Sequence, residues 1–247
     1  MDVRGRTRIM RQILRKSNVE ELNKAAAGLF VAAAIESVAL RGKFSVALSG
    51  GSTPRALYTL LASDNYRNKI DWSKTTIFFG DERNVPPDSH ESNYRMADET
   101  LLTPLKIRTR NVNRWKTERG PVEAAADYDS QLRSNGPLDL VLLGLGPDAH
   151  TASLFPNTDA IREKEKLAVA NWVEKLNDHR LTMTFPAINS AREVMFLVAG
   201  GDKADAVASV LEGKSRLDEY PAQGVKSSAG NVIWLIDAAA ASRLKNK

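Results

Sequence analysis

At 247 residues, 43% hydrophobic and 26% charged, the chain has the composition of a globular protein long enough for one large α/β domain. Zero cysteines exclude disulfides, thiolate metal sites and cysteine nucleophiles. The net charge of +5 resides in the first sixteen residues, where Arg4, Arg6, Arg8, Arg11, Arg15 and Lys16 face Asp2 alone; the remainder is neutral, which argues against a nucleic-acid surface.

An Arg-rich, acid-poor start is one form of transit peptide. Here "RIMRQILRKS" runs straight into the next predicted helix and reads instead as a solvated first strand. The longest apolar run, 25–35, is too short to span a bilayer. No secretory apolar region is present, so no membrane partner and a cytoplasmic location are expected.

Asn18, with Glu21 three residues on, predicts a capping box opening a helix over 19–41. "FSVAL" (44–48) predicts a short buried strand, and Pro54 suits the first turn of the helix after "SGGST". "TTIFF" (75–79) is the next strand, ending in "GDERNVP". A helix is expected after Ser92, running to 102, and another over about 121–134. "LDLVLLG" (138–144), "LTMTF" (181–185), "EVMFLVAG" (193–200) and "NVIWLID" (231–237) predict the later strands. "DKADAVASVLEG" and the Ala-rich C-terminal stretch predict helices.

No repeat, low-complexity linker or break in composition divides the chain, so one domain over 1–247 is expected, with 161–191 as a possible subsidiary lobe. Continuous apolar strands alternating with helices predict an open, mainly parallel sheet covered on both faces. In such sheets ligands bind beyond the carboxyl ends of the strands. Four polar clusters fall at such ends: "SGGST", "GDER", "GPDAH" and "GGDK". Their convergence on one sheet edge is a stronger signal than any one of them.

The glycines Gly50 and Gly51 let the backbone approach an anion, and Ser52 and Thr53 offer amides and hydroxyls at a helix start. An ordinary capped turn has the same residues. The Walker pattern is absent, so a nucleoside triphosphate is not implied. In "GDER", Arg83 suits a phosphate or a developing oxyanion and Asp81 can orient a base; a loop salt bridge would also explain the triplet. "GLGPDA" fits a dinucleotide fingerprint formally, but it sits mid-chain and no acid follows at the right distance. His150, beside that glycine turn, is the candidate general base, since imidazole is the side chain suited to proton transfer near neutrality. His90 and His179 lie in polar stretches and read as surface. No paired-histidine spacing supports zinc, and no G-x-S-x-G marks a serine hydrolase. Lys203, at a helix start, is a plausible second phosphate contact. The residues thus point to acid/base chemistry on a small phosphorylated molecule, with neither metal nor cofactor.

In this order the clusters resemble the 6-phosphogluconolactonase branch of the glucosamine-6-phosphate isomerase/deaminase superfamily. "LSGGSTP", "GDERNVP…SNYRM", "GLGPDAHTASLFP", "RLTMTFPAIN" and "GGDKADAV…LEG" carry the resemblance, and the third is the most specific. The deaminase sisters read like G-x-N-G-H-I-A-F-N-E-P there, so "HTASLFP" sides with the lactonases. The resemblance implies a deaminase/ribose-5-phosphate isomerase-like fold and hydrolysis of a phosphorylated sugar lactone. It makes His150 the base, gives the "SGGST" turn the substrate, and brings Arg83, Lys203 and Arg180 to the acidic ligand or the reacting carbonyl. An amino-sugar-phosphate deaminase or isomerase, and a non-catalytic sugar-phosphate sensor, are the alternatives. Two departures stand out. Ala149 replaces the glycine usual before the histidine, which stiffens the turn, and "VEKLNDHR" lacks the usual proline-rich lead-in to Arg180.

Overall fold

In the computed structural model, which describes residues 10–227 and 231–245, the chain begins with β1 (Met10–Lys16), an exposed edge strand bearing Arg11 and Lys16. Charge along an open edge opposes pairing with another chain. Arg4, Arg6 and Arg8 of the basic head lie outside the described residues.

Helix α1 (Val19–Arg41) starts as predicted, with Asn18 Oδ1 accepting the Glu21 amide at 2.9 Å. Only half of the capping box forms, because the Glu21 carboxylate turns to Lys24 instead. By length and composition α1 could cross a membrane. Its buried residues Leu22, Ala26, Ala27, Phe30 and Ala34 follow helical spacing and pack into the core, where Phe30 meets Phe44 edge-on at 5.5 Å.

The five residues of β2 (Phe44–Leu48) are all buried, so both faces of this central strand are covered. There follow α2 (Ser52–Ala62), β3 (Thr75–Phe79), the short β4 (Asp81–Arg83) and α3 (Asn93–Ala97), which continues as a wider turn to 102. Then come α4 (Pro121–Asn135), β5 (Leu140–Leu143), β6 (Ala168–Val173), β7 (Asp178–Met183), α5 (Phe185–Ser190), β8 (Glu193–Val198), α6 (Ala204–Glu212) and β9 (Asn231–Asp237).

Six strands form a parallel sheet in the order β1-β9-β8-β5-β2-β3, the α/β architecture expected. Strand β2 leads on to β3 on one side, while β5 leads on to β8 on the other. The connections therefore diverge between β2 and β5, which is where such sheets open a binding crevice. The carboxyl ends of β8, β5, β2 and β3 lie in consecutive strands, so all four polar clusters share one sheet edge.

A second, antiparallel sheet of order β4-β7-β6 stands beside this edge and occupies part of the region expected as a lobe. Strands β4 and β6 and helix α5 have no counterpart among the predicted elements; β4 has only three residues, and its partner β7 lies about a hundred positions away. The strand expected over 181–185 ends at Met183, and Phe185 with Pro186 opens α5. The Ala-rich C-terminal stretch is not a helix but a set of turns over 238–243. The Asp237 carboxylate accepts the amides of Gly200 and Ala240, folding the chain back at the strand end.

Candidate active site

The anion turn is pinned from beneath. Tyr58, nearly two turns into α2 and wholly buried, accepts the Ser49 amide and donates to the Ser49 carbonyl, each at 2.8 Å. Burial pushes its phenol well above the usual range, so it stays a neutral donor. The first-turn amides of α2 at Ser52 and Thr53 have no intrahelical acceptors and stand at the positive end of the helix dipole. Gly50 is required by close approach: a Cβ there would lie 2.0 Å from Oδ1 of Asn93. The turn after β2 is thus set directly against the start of α3.

The "GDER" triplet divides by strand alternation. Glu82 points away from its neighbours and is only 2% exposed. Its carboxylate accepts the amides of Arg83, Asn93 and Tyr94 and the Ser92 hydroxyl, closing the N-terminus of α3. Burial pushes this carboxyl up, against the pull of those three amides. Asp81 faces the other way, where Oδ2 accepts the Ser153 hydroxyl at 2.7 Å and Oδ1 the Asn93 amide group at 3.2 Å. One carboxylate therefore joins the histidine loop to the residue packed on the anion turn.

The loop after β5 explains what a glycine–proline–acid–histidine sequence accomplishes. Gly146 N donates to the His150 carbonyl at 2.8 Å and Ala149 N to the Gly146 carbonyl at 3.0 Å, folding the chain tightly over itself. A Cβ on Gly146 would stand 2.0 Å from His150 Nδ1, so only glycine leaves space for the ring. Ala149 takes φ 61° in the left-handed region, which disfavours a residue with a Cβ. Thr151 Oγ1 to the Gly144 carbonyl at 2.8 Å, and Ala222 N to the Ala149 carbonyl at 3.1 Å, hold the loop in that conformation.

Within it, His150 Nδ1 meets Asp148 Oδ1 at 2.5 Å. Asp148 Oδ2 accepts from Lys175, in the turn between β6 and β7. Desolvation pushes the Asp148 carboxyl up, but the hydrogen bonds from His150 and Lys175 outweigh it and hold the group well below the usual carboxylate range. The imidazole stacks on Phe155, ring centroids 4.2 Å apart. Sequence reasoning missed Asp148, although the Asp-x-His spacing was visible. Ser153, Asn93 and Lys175 carried no local signal, because each matters through a contact with a distant segment.

The small sheet supplies the cations. Arg83 and Arg180 are directly opposed across β4 and β7, and alternation places them on the face that holds Asp81 and Thr182. Thr182 Oγ1 accepts the Ser153 amide at 3.1 Å, so this face is the one turned to the histidine loop. Like charges directly opposed are unfavourable unless something compensates them. Arg180 is bound to Asp178 at 3.0 Å; Arg83 donates to the Glu91 carbonyl and makes no ion pair among the described residues. His179 falls on the opposite face, packed edge-on against Trp172, and is half-buried rather than the surface residue expected. His90 is exposed as expected, at 86%. Lys203 stands beyond β8, half-buried and paired with Asp202 at 3.0 Å; its contacts do not reach the other clusters.

A cleft of about 1150 Å³ opens on the far side of Asp148 and Phe155, lined also by Trp172, Lys175 and His179 but not by His150. On the sheet-edge side, Asp81 joins the histidine loop, through Ser153, to Asn93 beside the anion turn. Among the described residues, no three His, Cys, Asp or Glu side chains cluster so as to hold a metal ion.

A family model described as glucosamine-6-phosphate isomerases/6-phosphogluconolactonase matches residues 17–234. The chain is 39% identical over 213 residues to a 6-phosphogluconolactonase of Nostoc sp., covering 83% of this chain and 86% of the relative. It is 36% identical over 248 residues to one from Streptomyces coelicolor, covering 94% of each. Among solved structures, the 6-phosphogluconolactonase from Trypanosoma brucei superposes with a TM-score of 0.83 at 29% identity, covering 96% of this chain and 99% of the other.

Proposed function

The chain belongs to the glucosamine-6-phosphate isomerase/6-phosphogluconolactonase family, and from that premise we propose how its residues divide the work of a lactonase. The activity is hydrolysis of 6-phospho-D-glucono-1,5-lactone to 6-phospho-D-gluconate, a step of the pentose phosphate pathway.

His150 is the general base. With Nδ1–H donated to Asp148, the lone pair is on Nε2, which takes a proton from water as the water oxygen attacks C1. The carbonyl π bond opens to a tetrahedral oxyanion, which Arg83 stabilises with Arg180 beside it. When the intermediate collapses, the C1–ring oxygen bond breaks and the imidazolium returns its proton to the leaving ring oxygen. That step yields the open-chain carboxylic acid, which ionises, and restores the base.

The turn at Gly50, Gly51, Ser52 and Thr53, at the start of α2, holds the phosphate, with Lys203 as the second contact. Binding this remote group fixes the lactone against the base. Asp81 acts through Ser153 and Asn93, keeping loop and turn in register. For partners we propose the sugar lactone alone, without nucleic acid or membrane, and for compartment the cytoplasm, on the cysteine-free composition.

The 2.5 Å Asp148–His150 contact carries this reading, since a carboxylate at Nδ1 favours the tautomer a base requires. The test is lactone consumption above the spontaneous background, with glucosamine 6-phosphate as the rival substrate. Turnover of the amino sugar with none of the lactone would overturn the assignment.

A further inference from the structure

We infer that Lys175 is a positioning residue that sets the basicity of the His150–Asp148 pair, an inference that rests on the general-base reading above. Two contacts converge on its ammonium. Nζ binds Asp148 Oδ2, while Oδ1 of the same carboxylate binds His150 Nδ1 at 2.5 Å. Nζ also stands 4.6 Å from the centroid of Phe155, the ring on which the imidazole stacks at 4.2 Å. A single cation thus addresses both the carboxylate that orients the histidine and the aromatic surface that supports it.

The energetics separate this role from fold stability. Lys175 lies in a turn with its side chain 53% exposed, and exposed ion pairs contribute little to folding. A carboxylate held at both oxygens, however, cannot rotate away from the imidazole. The shared ammonium also offsets part of the negative charge that Asp148 presents to the ring. The hairpin of the small sheet is thereby coupled to the catalytic loop, 27 residues away in sequence.

Other ionisable groups around the same cleft are Asp129, Asp159, Glu163, Lys166, Glu174 and His179. Asp129 is bound to Arg133, Glu163 accepts backbone amides, and Glu174 accepts the Trp172 indole. Asp159 is fully exposed and within 3.9 Å of Arg162. His179 is the group most able to imitate a titration effect, so the test includes its removal.

The experiment is the pH profile of kcat/KM for Lys175→Met and Lys175→Arg, with melting curves for each. In Lys175→Met the acid limb is expected to move up by about half to one pH unit, with a several-fold loss of kcat. Lys175→Arg should restore the wild-type profile, and the shift should persist in a His179→Asn background. A folded Lys175→Met protein with the wild-type profile overturns the inference. His150→Asn is assayed alongside: if it is inactive while Lys175→Met is normal, only the role of Lys175 falls. If His150→Asn turns over near-normally, the general-base reading itself falls.

Discussion

His150 Nδ1 and Asp148 Oδ1 are 2.5 Å apart although the two residues are separated by Ala149 alone. Neighbours so close in sequence meet because Gly146 and Ala149 bend the loop back, with the ring passing over Gly146. The contact commits one imidazole nitrogen to the carboxylate and leaves the other for water.

Replacing His150 with Asn should therefore keep the fold and most of the ligand affinity, yet lower kcat by ~100- to 10,000-fold, the usual range for a general base. His90→Asn and His179→Asn should change kcat little, the first being solvent-exposed and the second on the opposite face of the small sheet. A background-corrected lactone assay of all three, with melting curves, checks this.

Asp148 gives a pH dependence whose sign is fixed. Its folded carboxyl is held below the ordinary value, so its ionised form contributes stability at pH values above the usual aspartate range. That contribution is lost as pH falls through the depressed folded value. The Tm gap between wild type and Asp148→Asn should not narrow between pH 8 and pH 5, and should narrow only below about pH 4. Narrowing already between pH 7 and pH 6 would show that the carboxylate is not held ionised by its partners.

Gly146→Ala should damage catalysis more than folding. The added Cβ would fall 2.0 Å from His150 Nδ1, so the ring must leave its place on Asp148. A fall in kcat of at least tenfold with near-normal far-UV circular dichroism is the expected outcome, a displacement of about 1 Å being enough to cost ~100-fold. An active Gly146→Ala enzyme would mean the ring position does not matter.

Phosphate recognition predicts much lower kcat/KM on unphosphorylated gluconolactone. Lys203→Ala should raise KM more than it lowers kcat, as expected for a contact of equal strength in ground and transition states. Equal efficiency on the two lactones would reduce the Gly50–Thr53 turn to a structural role.

Glu82→Gln tests a carboxylate outside the chemistry. Its oxygens accept four donors, and an amide nitrogen in place of one oxygen would face the Tyr94 amide and the Ser92 hydroxyl. Loss of an acceptor for these buried groups should cost about 1–3 kcal/mol, read by urea denaturation, while KM for the lactone changes less than it does in Lys203→Ala.

The parallel sheet and the polar turns at its edge were legible in the sequence because they rest on local rules. Apolar runs such as "FSVAL" and "LDLVLLG" bury through their own composition, and Gly50, Gly51 and Gly146 mark where the backbone must turn or be closely approached. Those signals place His150, Arg83 and the "SGGST" turn at strand ends without any knowledge of strand order. Strand β4 and its pairing to β7 were not legible, since three residues carry no period and their partner is nearly a hundred positions away. The same holds for Asp81 with Ser153, and for Lys175 with Asp148. A side chain's hydrogen-bond partner across the fold is set by which loops the topology brings together, and no local propensity encodes that choice. The sequence by itself determined the chemistry available at the sheet edge; the tertiary structure alone decided that Asp148 orients the histidine, that Glu82 is buried in a helix cap, and that His179 faces away.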